Sequence, residues 1–221
     1  MEAAKCRIMG SDYVGVFATA TDKYLFACPA INQHSKQMLS EKLGAKCIEL
    51  RLSGSDLVGL FSKANSNGII LSNLTLDQEV EALKMHNLGI SIGVIESDLN
   101  ALGSNVLAND KIAIINPDYS HKDAKDIQDI LDVEVVRAHI DGFKTVGANN
   151  ILTNRGIVIN NKATDEEKAE WDKMVGFNSI RSTANTGTLS VGLSVIANSN
   201  GVIAGDGTTG YELARIVDAL E

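Results

Sequence analysis

The stretch VGLSVIANSNGVIAGDGTTGYELARIVDALE, residues 191–221, decides the fold. Its first part predicts a strand, which the Asn200-Gly201 turn reverses into a second strand at Val202–Ala204, because such dipeptides favour tight hairpins. Thr209 and Glu212 then fit the capping box that begins a helix, and apolar residues form one stripe along that helix. The stretch therefore predicts a strand, strand, helix unit.

The same unit recurs along the whole chain. A dipeptide of one aliphatic residue and glycine marks each copy, and the glycines are spaced 44, 44, 44 and 45 residues apart. Each dipeptide is predicted to open a strand, and turn residues and a second strand follow it, so the chain is a fivefold repeat. The dipeptides are Val14-Gly15, Val58-Gly59, Leu102-Gly103, Val146-Gly147 and Val191-Gly192.

Helix signals recur with the same period. Hydroxyl residues are predicted to cap four helices, and Asn32 or Ser35 replaces the hydroxyl in the first unit. The predicted caps are Thr75 with Gln78, Ser120, Thr164 with Glu167, and Thr209 with Glu212. Glycines are predicted to end the helices at Gly44, Gly89 and Gly176.

A third strand completes four of the units but not the fifth. These strands are predicted at Cys47–Leu50, Ile90–Ile95, Val133–Arg137 and Phe177–Arg181. The sequence stops at Glu221 as the fifth helix ends, whereas a strand-like segment, Cys6–Met9, precedes the first dipeptide. We expect a strand within residues 5–10 to complete the fifth unit, because closure removes exposed sheet edges. A single α/β domain, 1–221, would then form a closed ring of repeats 13–56, 57–100, 101–144, 145–189 and 190–221.

Composition limits the kinds of partner. The 221 residues carry a formal net charge of -8, which repels nucleic-acid phosphates and attracts basic proteins. We therefore expect little direct RNA binding.

No apolar run is long enough for a membrane span and no secretory signal begins the chain, so we expect a cytoplasmic protein. The three cysteines form neither a disulfide pattern nor a metal pattern.

The chemical motifs of the sequence are weak. Gly205 to Gly210 matches G-x-G-x-x-G, but the acidic residue that a dinucleotide site requires would lie beyond Glu221. We interpret this loop as a turn before a capped helix. The four histidines form no metal pair at helical spacing, and acidic clusters are interpreted as solvated helix faces. The sequence predicts no catalytic residue, no cofactor and no metal site.

The repeated glycines predict a close approach of backbones around the fivefold axis, where side chains would collide. An alternative is five bulged strand starts. The residues that follow these glycines are all uncharged, and they form either core or a partner-binding platform on an acidic surface. They are Val16, Leu60, Ser104, Ala148 and Leu193.

Five such units closed by an N-terminal strand resemble the pentein, or α-β propeller, fold. Three stretches are similar to the translation initiation factor six family in its archaeal form: ALGSNVLANDKIAIINPD (101–118), VGANNILTNRGIVINNKATDEE (146–167) and the C-terminal stretch from residue 189. The resemblance covers essentially the whole chain. It implies a monomer that binds the large ribosomal subunit through a ribosomal protein near the sarcin-ricin loop. Bound there, it would keep the small subunit off, and eukaryotic relatives also act in large-subunit maturation.

The resemblance also implies where the partner binds. In the family, the loop after the repeated glycine contributes to ribosome contact. The matching residues here are Leu60 and Ser104, with Ala148 and Leu193 as their equivalents in other repeats. Eukaryotic members carry a basic residue at the position of Leu60.

The competing function is enzymatic, because other penteins are guanidino-group hydrolases and transferases with a nucleophilic cysteine and a histidine. Residues 189–221, where those enzymes place the nucleophile, contain neither cysteine nor histidine. Cys6, Cys28 and Cys47 all lie elsewhere in the chain. We therefore expect a protein without enzymatic activity.

Overall fold

The computed structural model describes residues 1–221 and contains five three-stranded sheets. No helix in it is long and apolar enough to cross a membrane. The strands are β1 (Glu2–Cys6), β2 (Ala18–Ala20), β3 (Tyr24–Ala27), β4 (Lys46–Glu49), β5 (Ser62–Ala64), β6 (Gly68–Ser72), β7 (Ser91–Ile95), β8 (Val106–Ala108), β9 (Ile112–Ile115), β10 (Glu134–Arg137), β11 (Ile151–Leu152), β12 (Ile157–Asn160), β13 (Ile180–Ser182), β14 (Val195–Ala197) and β15 (Gly201–Gly205).

Five longer helices alternate with short helical turns. One turn is a 3-10 helix at Val14–Val16, and the other four are single α-helical turns. The α-helices are α1 (Gln33–Leu43), α2 (Val58–Phe61), α3 (Asp77–Lys84), α4 (Leu102–Asn105), α5 (His121–Leu131), α6 (Val146–Asn149), α7 (Asp165–Val175), α8 (Val191–Ser194) and α9 (Gly210–Leu220).

Each sheet has the same topology. The first and second strands are antiparallel, and the third strand lies parallel to the second after a helical crossover, as in β5, β6 and β7. In the fifth sheet the third strand is β1, which pairs parallel with β15 from Glu2 opposite Gly201 to Cys6 opposite Gly205. The predicted pentein fold, closed by an N-terminal strand, is confirmed.

The closing strand lies earlier than the predicted 5–10 and Cys6–Met9. Ile8 pairs with Ser11 in an isolated bridge, and the two residues between them, Met9 and Gly10, have φ angles of 52° and 77°. Left-handed residues of this kind form a tight turn and cannot continue a strand. The apolar pattern of residues 6–9 therefore belongs partly to a turn.

The aliphatic-glycine dipeptides lie on helical turns, so the prediction that they open strands is wrong. The strands begin three or four residues later, at Ala18, Ser62, Val106, Ile151 and Val195. Short apolar runs do not distinguish a strand from a buried helical turn by pattern alone. Tertiary contacts around the axis select the turn.

The glycines of these turns form a ring in which each backbone touches the next. A Cβ atom on Gly103 would lie 1.7 Å from the carbonyl oxygen of Gly59, and one on Gly59 would lie 2.0 Å from that of Gly15. The contacts continue from Gly15 to Gly192 (2.5 Å), from Gly192 to Gly147 (2.0 Å) and from Gly147 to Gly103 (2.3 Å). Because no side chain fits at these distances, the predicted close approach is confirmed, and the cycle of contacts closes the ring.

The predicted helix caps are confirmed for four of the five helices. The side chains of Asn32, Ser120, Thr164 and Thr209 each accept a hydrogen bond from the third residue of the helix. The predicted Thr75–Gln78 capping box is wrong by one residue. The N-cap of α3 is Leu76, and the Glu79 carboxylate accepts a hydrogen bond from its backbone amide. Glu79 also accepts hydrogen bonds from the amides of Ser53 and Gly54, a contact across the fold that fixes where the helix begins.

Two of the three predicted helix stops are confirmed. Gly44 and Gly176 are left-handed C-caps, with φ of 57° and 75°. Gly89 lies beyond the end of α3, whose C-cap is Met85. The α3 helix ends early because Asn87, with φ of 48°, already turns the chain.

Apolar side chains pack between neighbouring sheets and under the longer helices. The predicted stripe of α9 faces this core, since Ile216 and Leu220 are fully buried, and Ile127 and Leu131 of α5 are buried in the same way. Trp171 of α7 is also buried. Burial of these stripes holds each helix against its own sheet.

Deleting residues 1–6 is expected to destabilise the ring, because β15 would lose its parallel partner and expose an edge. We expect the melting temperature to fall by roughly 10 °C or more, with aggregation measured by light scattering. Lys42→Met is the control, since it removes only the exposed Lys42 Nζ–Glu2 Oε2 ion pair of 2.6 Å. Equal melting of the deletion variant and the wild type would contradict closure by β1.

Gly103→Ala is expected to lower the free energy of unfolding by about 3 kcal/mol or more, since its Cβ meets rigid backbone. Gly210→Ala is the matched control, because it adds the same methyl group with nothing within 4 Å at the first residue of α9. The control should melt at or slightly above the wild-type temperature. Chemical denaturation of the two variants measures the difference, and equal stability would disprove the close contact.

Candidate functional site

The axis of the ring has two different ends. The glycine ring and the helical turns lie at one end, which we call the glycine end. The hairpin turns between the first and second strands lie at the other, which we call the hairpin end. Each second strand runs from the hairpin end to the glycine end, so the longer helices begin at the glycine end.

The residues that directly follow the ring glycines are mostly buried or half-buried. Ser104 and Ala148 are buried, with 9% and 6% of their surface exposed. Leu60 and Leu193 are half-buried, and Leu193 also lines a cavity on the axis. The structure thus brings the four predicted contact residues together around the axis, but only the two leucines offer apolar surface to a partner.

Exposed apolar side chains concentrate at the glycine end. Six of the seven large exposed hydrophobic residues lie on its turns, its loops or the first turns of its helices, and the seventh, Met85, follows α3 at the hairpin end. Met9 is 59% exposed and Phe143 is 40% exposed, each in a turn that precedes a ring glycine. The other four are Tyr13, Leu74, Leu76 and Tyr211. This one-sided exposure makes the glycine end the candidate interaction surface.

Five basic side chains at the glycine end are paired with carboxylates, whereas Lys122 and Lys162 are exposed and make no ion pair. Arg7 Nε lies 2.9 Å from Asp12 Oδ1, and this hydrogen bond lowers the pKa of Asp12. Further pairs at this end are Lys36–Glu49, Arg51–Asp56, Lys144–Asp118 and Arg181–Asp165. Pairing reduces the positive charge that is free to bind phosphates, which favours a protein over a nucleic acid as the candidate partner.

Helix-capping carboxylates hold the turns of the glycine end in place. Glu212 caps α9 and accepts hydrogen bonds from the Gly187 amide (2.8 Å) and from the Thr183 hydroxyl (2.7 Å). Although burial opposes its ionisation, the hydrogen bonds from Thr209, Thr183 and Gly187 lower the pKa of Glu212. The Glu167 carboxylate accepts a hydrogen bond from the Asp141 amide in the same way. These contacts make the turns rigid, which favours binding without loss of conformational freedom.

A ring of polar side chains, which the sequence analysis missed, closes the hairpin end. The side-chain amide of Asn65 donates to the carbonyl oxygen of Asn109, and that of Asn109 donates to Thr153, each at 3.0 Å. The Asn198 amide likewise donates to Thr21 at 2.9 Å. These residues recur every 44 or 45 positions, so the spacing of the glycines could have identified them. Their bonds lock neighbouring repeats together and leave little room for a ligand.

A small cavity lies on the axis between the two ends. Its volume is about 50 Å³, and the ring glycines and small residues of the first strands line it, together with Thr19 and Lys63. Burial lowers the pKa of Lys63 to about 8, the largest change for any lysine in the chain. The sequence does not single out Lys63, because only the closed ring places it beside the axis.

The structure contains no arrangement suited to a nucleophilic cysteine. Burial raises the pKa of the Cys6 thiol to about 11, and burial also raises the pKa of Cys28 and Cys47. No cysteine, histidine, aspartate or glutamate lines the axial cavity. No cluster of three metal-ligating side chains is present either. The site therefore lacks the thiolate and base that guanidino-group hydrolysis requires.

The G-x-G-x-x-G loop contacts the closing segment of the chain instead of a ligand. The backbone of Gly205 lies against the carbonyl oxygen of Asp12, and the Gly207 amide donates to Asp12 Oδ1 at 3.3 Å. Lys5 Nζ donates to the carbonyl oxygens of Asp206 (3.2 Å) and Thr208 (3.0 Å). The loop holds the N-terminal strand against the last repeat. Its glycines therefore contribute to closure of the ring.

Comparison with known proteins identifies the family of the chain. A model described as the eIF-6 family matches residues 3–219. The chain is 36% identical to translation initiation factor 6 of Picrophilus torridus over 217 residues, covering 98% of both chains. It is 36% identical to that of Thermococcus onnurineus over 231 residues (100% of this chain, 98% of the relative). It is 38% identical to that of Methanocaldococcus jannaschii over 217 residues (96% and 94%). The chain belongs to the translation initiation factor 6 family.

Proposed function

We propose that this protein binds the large ribosomal subunit with its glycine end and thereby prevents the small subunit from joining. Membership of the translation initiation factor 6 family supports a role in translation. The observation that carries the choice of surface is the concentration of exposed apolar side chains at one end of the ring. Such a role is exercised where ribosomal subunits meet, in the cytoplasm.

The charge of the molecule favours a basic ribosomal protein as the direct partner. With a net charge of -8, the protein attracts basic surfaces and is repelled by rRNA phosphates. The paired cations of the glycine end, such as Arg51 with Asp56, strengthen this preference. A ribosomal protein near the sarcin-ricin loop, as the family resemblance implies, meets this requirement, with little direct RNA contact.

Steric occlusion needs only stable occupancy of the intersubunit surface. An interface of roughly 1,600 Å² is usual for a stable protein complex, and a monomeric ring can present such an area on one face. No catalytic step or energy source is required. Binding of this protein to the large subunit before that subunit enters translation would equally support a role in large-subunit maturation.

The two leucines beside the ring glycines are proposed as the centre of the contact. Leu60 and Leu193 are half-buried, so a partner can complete their burial without unfolding the turn. Ser104 and Ala148 are proposed to contribute through their backbone shape, since their side chains are small and buried. Phe143 and Met9 would extend the contact outward.

Leu60→Glu, Leu193→Glu and Phe143→Glu are expected to weaken large-subunit binding. Each would force a carboxylate into a dehydrated contact, which costs several kcal/mol unless the charge is paired. Co-sedimentation with purified large subunits measures binding, and light scattering of mixed subunits measures joining. We expect at least a tenfold loss of affinity with joining restored and melting unchanged.

Met85→Glu is the matched control, because Met85 is an exposed apolar residue at the hairpin end. It should bind and block joining like the wild type. If Met85→Glu loses binding while the three glycine-end variants keep it, the contact lies at the opposite end. Collapse of Leu60→Glu and Leu193→Glu with retained binding by Phe143→Glu would assign the leucines to the core.

A further inference from the structure

The axial cavity contains a cation that the fold does not neutralise. Lys63 lies on β5, four residues after its ring glycine. The equivalent positions of the other repeats hold Thr19, Leu107, Ile151 and Ile196, so the lysine is unique to the second repeat. Its side chain is half-buried, and the surface it retains faces a cavity of about 50 Å³.

Lys63 has no partner within the protein. Its ammonium group makes no hydrogen bond or ion pair, whereas Lys5, Lys36, Lys42 and Lys144 each do. No carboxylate pairs with Lys63 and none lines the cavity, so burial lowers the pKa of Lys63 without a compensating negative charge. An unpaired charge removed from bulk water is unfavourable unless a counter-charge is supplied.

A second donor lines the same cavity. Thr19 occupies the equivalent position in the first repeat, is only 8% exposed, and its hydroxyl has no hydrogen-bond partner in the chain. That hydroxyl keeps some solvent-accessible surface, and Thr19 is one of the residues that line the cavity. An ammonium group and a free hydroxyl in an enclosure without carboxylates form a donor set that suits an anion.

We propose that the axial cavity is a binding site for one small inorganic anion of halide size, held by the Lys63 ammonium and the Thr19 hydroxyl. A water molecule needs about 10–15 Å³ of such space, so the cavity accommodates a halide ion with residual water. Large organic anions do not fit. The site adds a ligand to the core of the ring, and its proposed ligands, Lys63 and Thr19, are not among the residues proposed to contact the ribosome.

Chloride should stabilise the wild-type protein by an amount that grows with the logarithm of one plus the ratio of the chloride concentration to the Kd. Melting temperature is measured while chloride replaces gluconate at constant ionic strength, since gluconate is too large for the cavity. We expect the melting temperature of the wild type to rise with chloride, steeply near the Kd and then with the logarithm of the chloride concentration. Lys63→Met should abolish the rise, and Thr19→Val should weaken the fitted Kd at least tenfold. Lys125→Met, which removes an exposed lysine of α5, should respond like the wild type.

Two direct measurements on the wild-type protein identify what occupies the cavity, even if the variants fold poorly. Wild-type crystals soaked in bromide should show one anomalous peak between Lys63 and Thr19, and a site filled only by water would overturn the proposal. In solution, NMR titration of the Lys63 side chain should give a pKa near 8 in gluconate and a higher pKa in chloride, because the anion stabilises the charged form. An identical pKa in the two salts, or equal chloride responses of the wild type and Lys63→Met, would also refute anion binding.

Discussion

The contact between each ring glycine and the carbonyl oxygen of the next is the constraint on which the rest of the structure depends. At Gly103 the space left for a Cβ atom is only 1.7 Å from the Gly59 oxygen, so the backbones touch directly. This spacing sets the radius of the ring and places the five first strands around a narrow axis. A wider axis would separate neighbouring sheets and open the apolar core between them.

Closure of the ring is completed by polar contacts away from the glycines. At the hairpin end, asparagine side chains such as Asn65 and Asn109 bond to the next repeat, which satisfies amides that would otherwise be buried without partners. At the junction of the two chain ends, β1 pairs with β15 and Lys5 caps the loop that follows. The N-terminal strand therefore cannot leave without exposing the edge of β15.

The two ends of the axis consequently have different properties. The hairpin end satisfies its polar groups internally and offers little apolar surface. The glycine end holds its turns rigid through capping carboxylates such as Glu79 and Glu212, and it exposes apolar residues such as Phe143 to solvent. A rigid apolar surface on an acidic molecule suits a protein partner, which agrees with a family that acts in translation.

Sequence alone established the features that depend on local chemistry and on period. The spacing of Gly15 and its equivalents, the capping boxes at Thr164 and Thr209, and the missing third strand of the last unit determined five repeats and their closure. Such signals are readable because a cap or a hairpin involves residues close together in the chain. The family resemblance added a candidate face but did not distinguish surface from core at Leu60 or Ser104.

Only the tertiary structure decided the features that depend on contacts between repeats. Helical turns stand where strand starts were predicted, because each ring glycine must approach a carbonyl oxygen of another repeat. The α3 helix begins at Asp77 because the Glu79 carboxylate accepts a hydrogen bond from a turn 25 residues earlier in the chain. Lys63 looks like an ordinary strand residue in sequence, yet ring closure encloses it beside the axis. Burial and charge pairing are set by groups far apart in the chain, so a local pattern does not encode them.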